Sequence, residues 1–138
     1  MAGSLSDNAE NKILSHSVGK STWDPVGNVY IALYRVAPNE ATDGTEVPTT
    51  ENGIVTGYSR FPTSPSSWTD PAAGSIKNEV KFEFGPASVA WGEIQGVAVI
   101  NASSGGTPIW YGTFSSPRTV VAGEKLTFEA SAFVLSLN

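Results

Sequence analysis

Apolar positions along the chain recur mostly with a period of two, the mark of half-buried strands. The pattern is densest between Trp91 and Leu137. Residues 95–100 (QGVAVI) form a compact apolar run rich in β-branched side chains. Residues 101–108 (NASSGGTP) supply the Gly, Ser and Asn of a reversing segment, and residues 109–114 (IWYGTF) run back. Ser115, Ser116 and Pro117 are expected to break that strand, leaving residues 119–121 as a short extended piece before a turn at Ala122-Gly123-Glu124. In the final stretch Leu126, Phe128, Ala130, Ala132 and Val134 share one parity, whereas Phe133, Leu135 and Leu137 share the other. The buried face therefore switches near Ala132, through a bulge or a bend. The whole stretch reads as an antiparallel meander.

One segment has helical spacing. Over residues 4–19, Leu5, Ala9 and Ile13 follow at intervals of four, and Leu14 and Val18 widen the stripe. Ser4 is the expected cap, Asp7 places a carboxylate near the positive helix end, and Gly19 suits the stop. So thin a stripe is marginal alone in water, so the helix docks on its own sheet or on a neighbour. After a loop around Trp23-Asp24-Pro25, residues 29–36 alternate Val29, Ile31 and Leu33 against Tyr30, Ala32 and Tyr34. Both faces are apolar, which predicts a central strand covered on both sides, by the second sheet on one and by the helix on the other. Residues 38–52 are acidic and turn-rich and read as an exposed loop. Residues 57–61 give a short strand, and residues 62–74 a loop dense in Pro and Ser. In residues 76–84, Val80, Phe82 and Phe84 are expected to face inward and Lys77, Glu79, Lys81 and Glu83 to face water, before Gly85-Pro86 ends the strand. The expected fold is mainly β, an antiparallel β-sandwich of jelly-roll or Ig-like type with one N-terminal α-helix. Residues 1–20 are the helical docking or attachment segment and residues 21–138 the sandwich domain.

The 138 residues suffice for one domain that buries roughly two thirds of its unfolded surface. There is no cysteine, which removes disulfide scaffolds, thiol nucleophiles and thiolate metal sites. Charged residues are only 15% and the net charge is −5, with no Lys/Arg cluster to track phosphates, so no nucleic-acid partner is expected. Apolar runs are short and residues 4–12 largely polar, so neither a membrane span nor a secretory signal fits.

Candidate chemistry is sparse. His16, the single histidine, sits in the expected helix with no Ser and Asp arranged as a nucleophile motif. Gly19-Lys20-Ser21 resembles the end of a phosphate-binding loop, but Leu14 stands where that loop needs a glycine. Asp43-Gly44-Thr45-Glu46 with Glu40 and Glu51 carries oxygen ligands without EF-hand spacing and reads as a solvated acidic loop. Asn101-Ala102-Ser103 is a formal glycosylation sequon with meaning only in a secretory pathway. The tryptophans hold more information. Trp91 and Trp110 suit the core, while Trp23 and Trp68 lie in loops, where they either pin those loops down or offer flat faces to a partner or a sugar.

A family resemblance rests on several of these phrases in order. Trp91-Gly92, Gly105-Gly106, Trp110-Tyr111-Gly112, Val120-Val121-Ala122-Gly123-Glu124 and Leu126-Thr127-Phe128-Glu129-Ala130 resemble the recurrent pattern of small tailed-bacteriophage proteins called tail fibre proteins. The opening agrees, through Leu5-Ser6-Asp7-Asn8-Ala9-Glu10-Asn11-Lys12, Val29-Tyr30-Ile31-Ala32-Leu33-Tyr34 and Gly44-Thr45-Glu46-Val47. The resemblance implies a virion structural protein, made in the host bacterial cytoplasm and not an enzyme. The expected role is a capsid-decorating cement protein that forms a symmetric oligomer, a trimer by preference, on the major capsid protein. A tail-fibre or baseplate module bound to tail proteins is the alternative, and a carbohydrate-binding module the second alternative. No cofactor or metal is expected. The candidate interface is Leu5, Ile13, Leu14 and Val18 on the helix with Trp23 and Trp68 in the loops.

Overall fold

The computed structural model describes residues 2–23, 27–41 and 43–137. In chain order, β1 (Ala2–Leu5) leads into helix α1 (Asp7–Ser17), and β2 (Tyr30–Val36) follows. Short strands come next: β3 (Thr45–Glu46), β4 (Thr50–Glu51), β5 (Ile54–Val55), β6 (Phe61–Pro62), β7 (Ser75–Lys77) and β8 (Phe82–Phe84). The long β9 (Gly92–Ile100) and β10 (Pro108–Val120) precede β11 (Leu126–Phe128) and β12 (Val134–Ser136). The fold is mainly β and antiparallel, with one helix near its N terminus.

A six-stranded sheet in the order β1-β10-β9-β2-β3, with β6 also on β2, forms one layer. Two ribbons, β8 with β11 and β7 with β12, face it. Between them lies the main core, where Ile31, Leu33, Val97 and Val99 of the sheet meet Phe82, Phe84, Leu126, Phe128 and Phe133. The two-faced reading of β2 holds: Ile31 and Leu33 enter this core, while Ala32 and Tyr34 join Ala98 and Ile100 on the opposite face. That second face is not helix-covered over Gly96. A Cβ on Gly96 would stand 3.2 Å from Ala37 Cβ and Pro38 Cδ, so the chain leaving β2 crosses there. Helix α1 packs instead on β1 and β10.

Several boundaries differ from the sequence expectation, each for a local reason. The helix starts at Asp7, and Ser6 rather than Ser4 is its cap, accepting from the Ala9 amide at 3.3 Å and donating to the Pro108 carbonyl at 2.7 Å. Ser4 and Leu5 belong to β1, paired with Tyr111 and Trp110. Ser115–Pro117 does not end β10. Thr113 stands opposite Gly96 and Arg118 opposite Ile94, so the break becomes a wide bulge inside a 13-residue strand. Residues 91–137 are not a simple meander, because past the turn at residues 122–124 the chain crosses to the facing layer, where β11 pairs with β8 and β12 with β7. The expected change of face near Ala132 is a turn through Ser131, whose φ is +68°. The expected strand over residues 76–84 divides at Asn78. Residues 57–60 are irregular, and only Phe61 and Pro62 form a strand there. The acidic stretch at residues 38–52 is not simply solvated: it contains β3 and β4 and buries Val47. Asp24 and Pro25, expected in a loop, lie outside the described residues.

Candidate functional site

Where β9 ends and β10 begins, the two layers diverge and leave an apolar groove of about 440 Å³. Its sheet side is made by Val29, just before β2, with Val99, Ile109 and Trp110. Trp110 and Val99 are direct cross-strand partners, which places the indole over the groove floor. The facing wall is the β7–β12 ribbon, whose paired Ile76 and Leu135 both point in. Trp23 and Trp68 close the rim.

Each loop tryptophan is fixed by its own contacts. Trp68 sets its ring edge-on to Phe82 and Phe133, at 5.4 and 6.0 Å between centroids. Its indole N–H donates to Thr63 Oγ1 at 3.2 Å, and that buried threonine in turn donates to the Val29 carbonyl. The polar edge of Trp68 is therefore satisfied inside the protein, and what it presents to the groove is carbon. The Trp23 amide donates to His16 Nδ1 at 3.3 Å, which ties the rim to the end of α1. Trp91 has no part in the site. It is fully buried, donates to the Thr56 carbonyl at 2.8 Å and lies edge-on to Tyr58.

Of the six residues singled out from sequence, the groove gathers Trp23 and Trp68. Leu5 lies in β1 beside Trp110 and is 7% exposed. Ile13 is half-buried, whereas Leu14 on α1 and Val18, the residue that caps its C-terminal end, are 64% and 72% exposed. Val29, Ile76, Val99, Ile109, Trp110 and Leu135 were not anticipated as site residues. They come from five separate segments, and only the cross-strand pairings Trp110–Val99 and Ile76–Leu135 unite them.

Among the described residues, the groove lining carries no acid, base or nucleophile. Among the described residues, no cluster of His, Cys, Asp or Glu has the form of a metal site. Charge is concentrated elsewhere. Arg60 makes a two-pronged ion pair with Glu46, 2.8 Å on each prong, and Glu46 also accepts from the Tyr58 hydroxyl at 2.8 Å. Burial, reinforced by the Glu46 charge, pushes the Tyr58 hydroxyl well above the usual phenol range. A second two-pronged pair joins Arg35 and Glu51 at 2.8 and 2.9 Å. The groove itself offers aromatic and aliphatic surface with almost no polar partners, which suits an apolar side chain of another protein. A sugar needs several hydrogen-bonding groups at its ring edges, and the described residues of this lining supply few of them.

Compared with known proteins, residues 4–136 match the sequence model of the family described as Podophage GP4 fiber I protein gp80. No curated protein matches the chain.

Proposed function

The chain belongs to the podophage GP4 fiber I protein gp80 family, a family of phage virion fibre proteins, and on that premise we propose that it is a globular module of the tail fibre. The match across residues 4–136 carries this reading, because it spans both layers of the fold and the entire groove. Capsid decoration, the role favoured from sequence, has less support, since the family's description is of a fibre. The groove is then the seat for an apolar segment of an adjoining virion protein. Trp23, Trp68 and Trp110 provide large, rigid contact area at low conformational cost, and interface cores are rich in such rings. Leu14 on α1 and Val18 at its C-cap are further exposed apolar side chains on the element to which Trp23 is tied. Immunogold labelling of intact particles tests the assignment. Label confined to the tail is the expected result, and label spread over the head would return the protein to the capsid.

A further inference from the structure

A second, polar concavity of about 290 Å³ lies between the acidic stretch and the turn joining β9 to β10. We propose that it is a binding notch for a neutral saccharide unit, separate from the tryptophan groove.

The turn is held in shape before any ligand arrives. Arg60 Nη1 donates to the carbonyls of Ala102 and Gly105, both at 2.7 Å, while its Nε and Nη2 hold Glu46. Asn101 Oδ1 accepts from the Thr107 amide at 2.9 Å, closing the turn from within. Gly106, at φ +76°, leaves no room for a side chain, since a Cβ there would fall 2.7 Å from Asn101 Oδ1. On this frame the hydroxyl-bearing residues Thr49, Ser59, Ser103 and Ser104 line the notch beside the Arg60–Glu46 pair. All four residues are exposed, and among the described residues their hydroxyls have no hydrogen-bond partner.

The chemistry of the ligand follows from what is used and what is free. Glu46 neutralises Arg60, and four of the five guanidinium donors are already engaged, so the notch holds no unspent charge for a phosphate or carboxylate. Hydroxyls that both donate and accept match the hydroxyls of a sugar ring. The volume lies just below the range of small-ligand sites, about 300–1,000 Å³, which fits one sugar unit at the end or edge of a longer glycan. Such a shallow site binds weakly, with Kd about millimolar.

The test is an amide chemical-shift titration of the full chain with a panel of neutral hexoses, deoxyhexoses and N-acetylhexosamines, with inorganic phosphate as the charged comparison. At least one neutral sugar is expected to give saturable shifts at Ser59, Ser103, Ser104 and Gly105, and phosphate none. The exposed double substitution Ser103→Ala, Ser104→Ala should weaken that binding about tenfold or more while leaving the thermal midpoint unchanged. Arg60→Lys, which keeps the charge and loses the fork, should weaken it through a loosened turn. The proposal fails if no sugar moves these amides, if phosphate moves them more, if the shifts map to Trp23 and Trp68, or if the double variant binds as well as the parent.

Discussion

Phe82 and Val80 are two residues apart and share the parity that marks the inner face of a strand, yet Phe82 is fully buried and Val80 is 44% exposed. Asn78 is the cause. It is completely buried, its side-chain amide donates to the carbonyls of Val80 and Glu129 at 2.8 Å, and its Oδ1 accepts from the Phe133 amide at 2.8 Å. These bonds lock a corner between β7 and β8 to the turn between β11 and β12, and the corner turns Val80 outward. Asn78 shares the inward parity of Phe82 and Phe84, so its burial follows the pattern, but period-two spacing does not announce that its side chain ends one strand and turns a corner. Phe82→Ala should cost about 3–5 kcal/mol in a urea titration, because Phe61, Trp68 and Phe133 all pack on that ring. Val80→Ala should change stability by about 0.5 kcal/mol or less. Equal losses would show the corner to be wrong.

The acidic limb of stability also belongs to single residues. The Arg35 side chain bonded to Glu51 holds that carboxyl below the usual range, and Lys125 and Lys81 do the same for Glu83. Both are depressed in the folded state, so the unfolded chain binds their protons more readily. Their contribution is present above the unfolded carboxyl value of about 4.3 and is lost as pH falls through the lower folded values. The thermal midpoint should therefore drop on acidification below about pH 4.5, and the Glu51→Gln, Glu83→Gln double variant should show a shallower drop. An unchanged slope would mean these pairs are too well screened by solvent to matter.

At the scale of elements, what was legible in the sequence was local. The helix, the two-faced β2, the β9–β10 reversal and the change of parity before β12 all follow from spacing and turn residues. The partners of β7, β8 and β11 were not legible, because ribbons of three residues are chosen by the layer they pack against rather than by their own pattern. One short pairing does carry its own sequence signal. Asn52-Gly53 between Glu51 and Ile54 is a hairpin turn with φ of +52° and +77°, the sequence signature that joins β4 to β5. The N-terminal segment carries the element-scale prediction. β1 adds to the sheet through β10, Leu5 is buried, and Ser6 both caps α1 and donates to the Pro108 carbonyl. Deleting residues 1–20 should lower the thermal midpoint by about 10 °C or more. A midpoint within a few degrees of the parent would favour the separate attachment role that the sequence suggested for this segment.

For the whole molecule, the groove shows why a list of tryptophans was not yet a site. Trp23, Trp68 and Trp110 are scattered over 88 positions of chain, and they converge only because β10 pairs with β9 while the β7–β12 ribbon closes over the same end. Trp23 and Ile76 line the groove without belonging to the main core, so they can be changed at little cost to folding. The most direct test is therefore incorporation of the Trp23→Glu, Ile76→Glu double variant into phage particles, scored by quantitative blotting of purified virions. If the groove seats an adjoining virion protein, the purified variant should keep its circular dichroism and a thermal midpoint within a few degrees of the parent, yet be missing from particles. A folded variant found in particles at the parent's copy number would contradict the account.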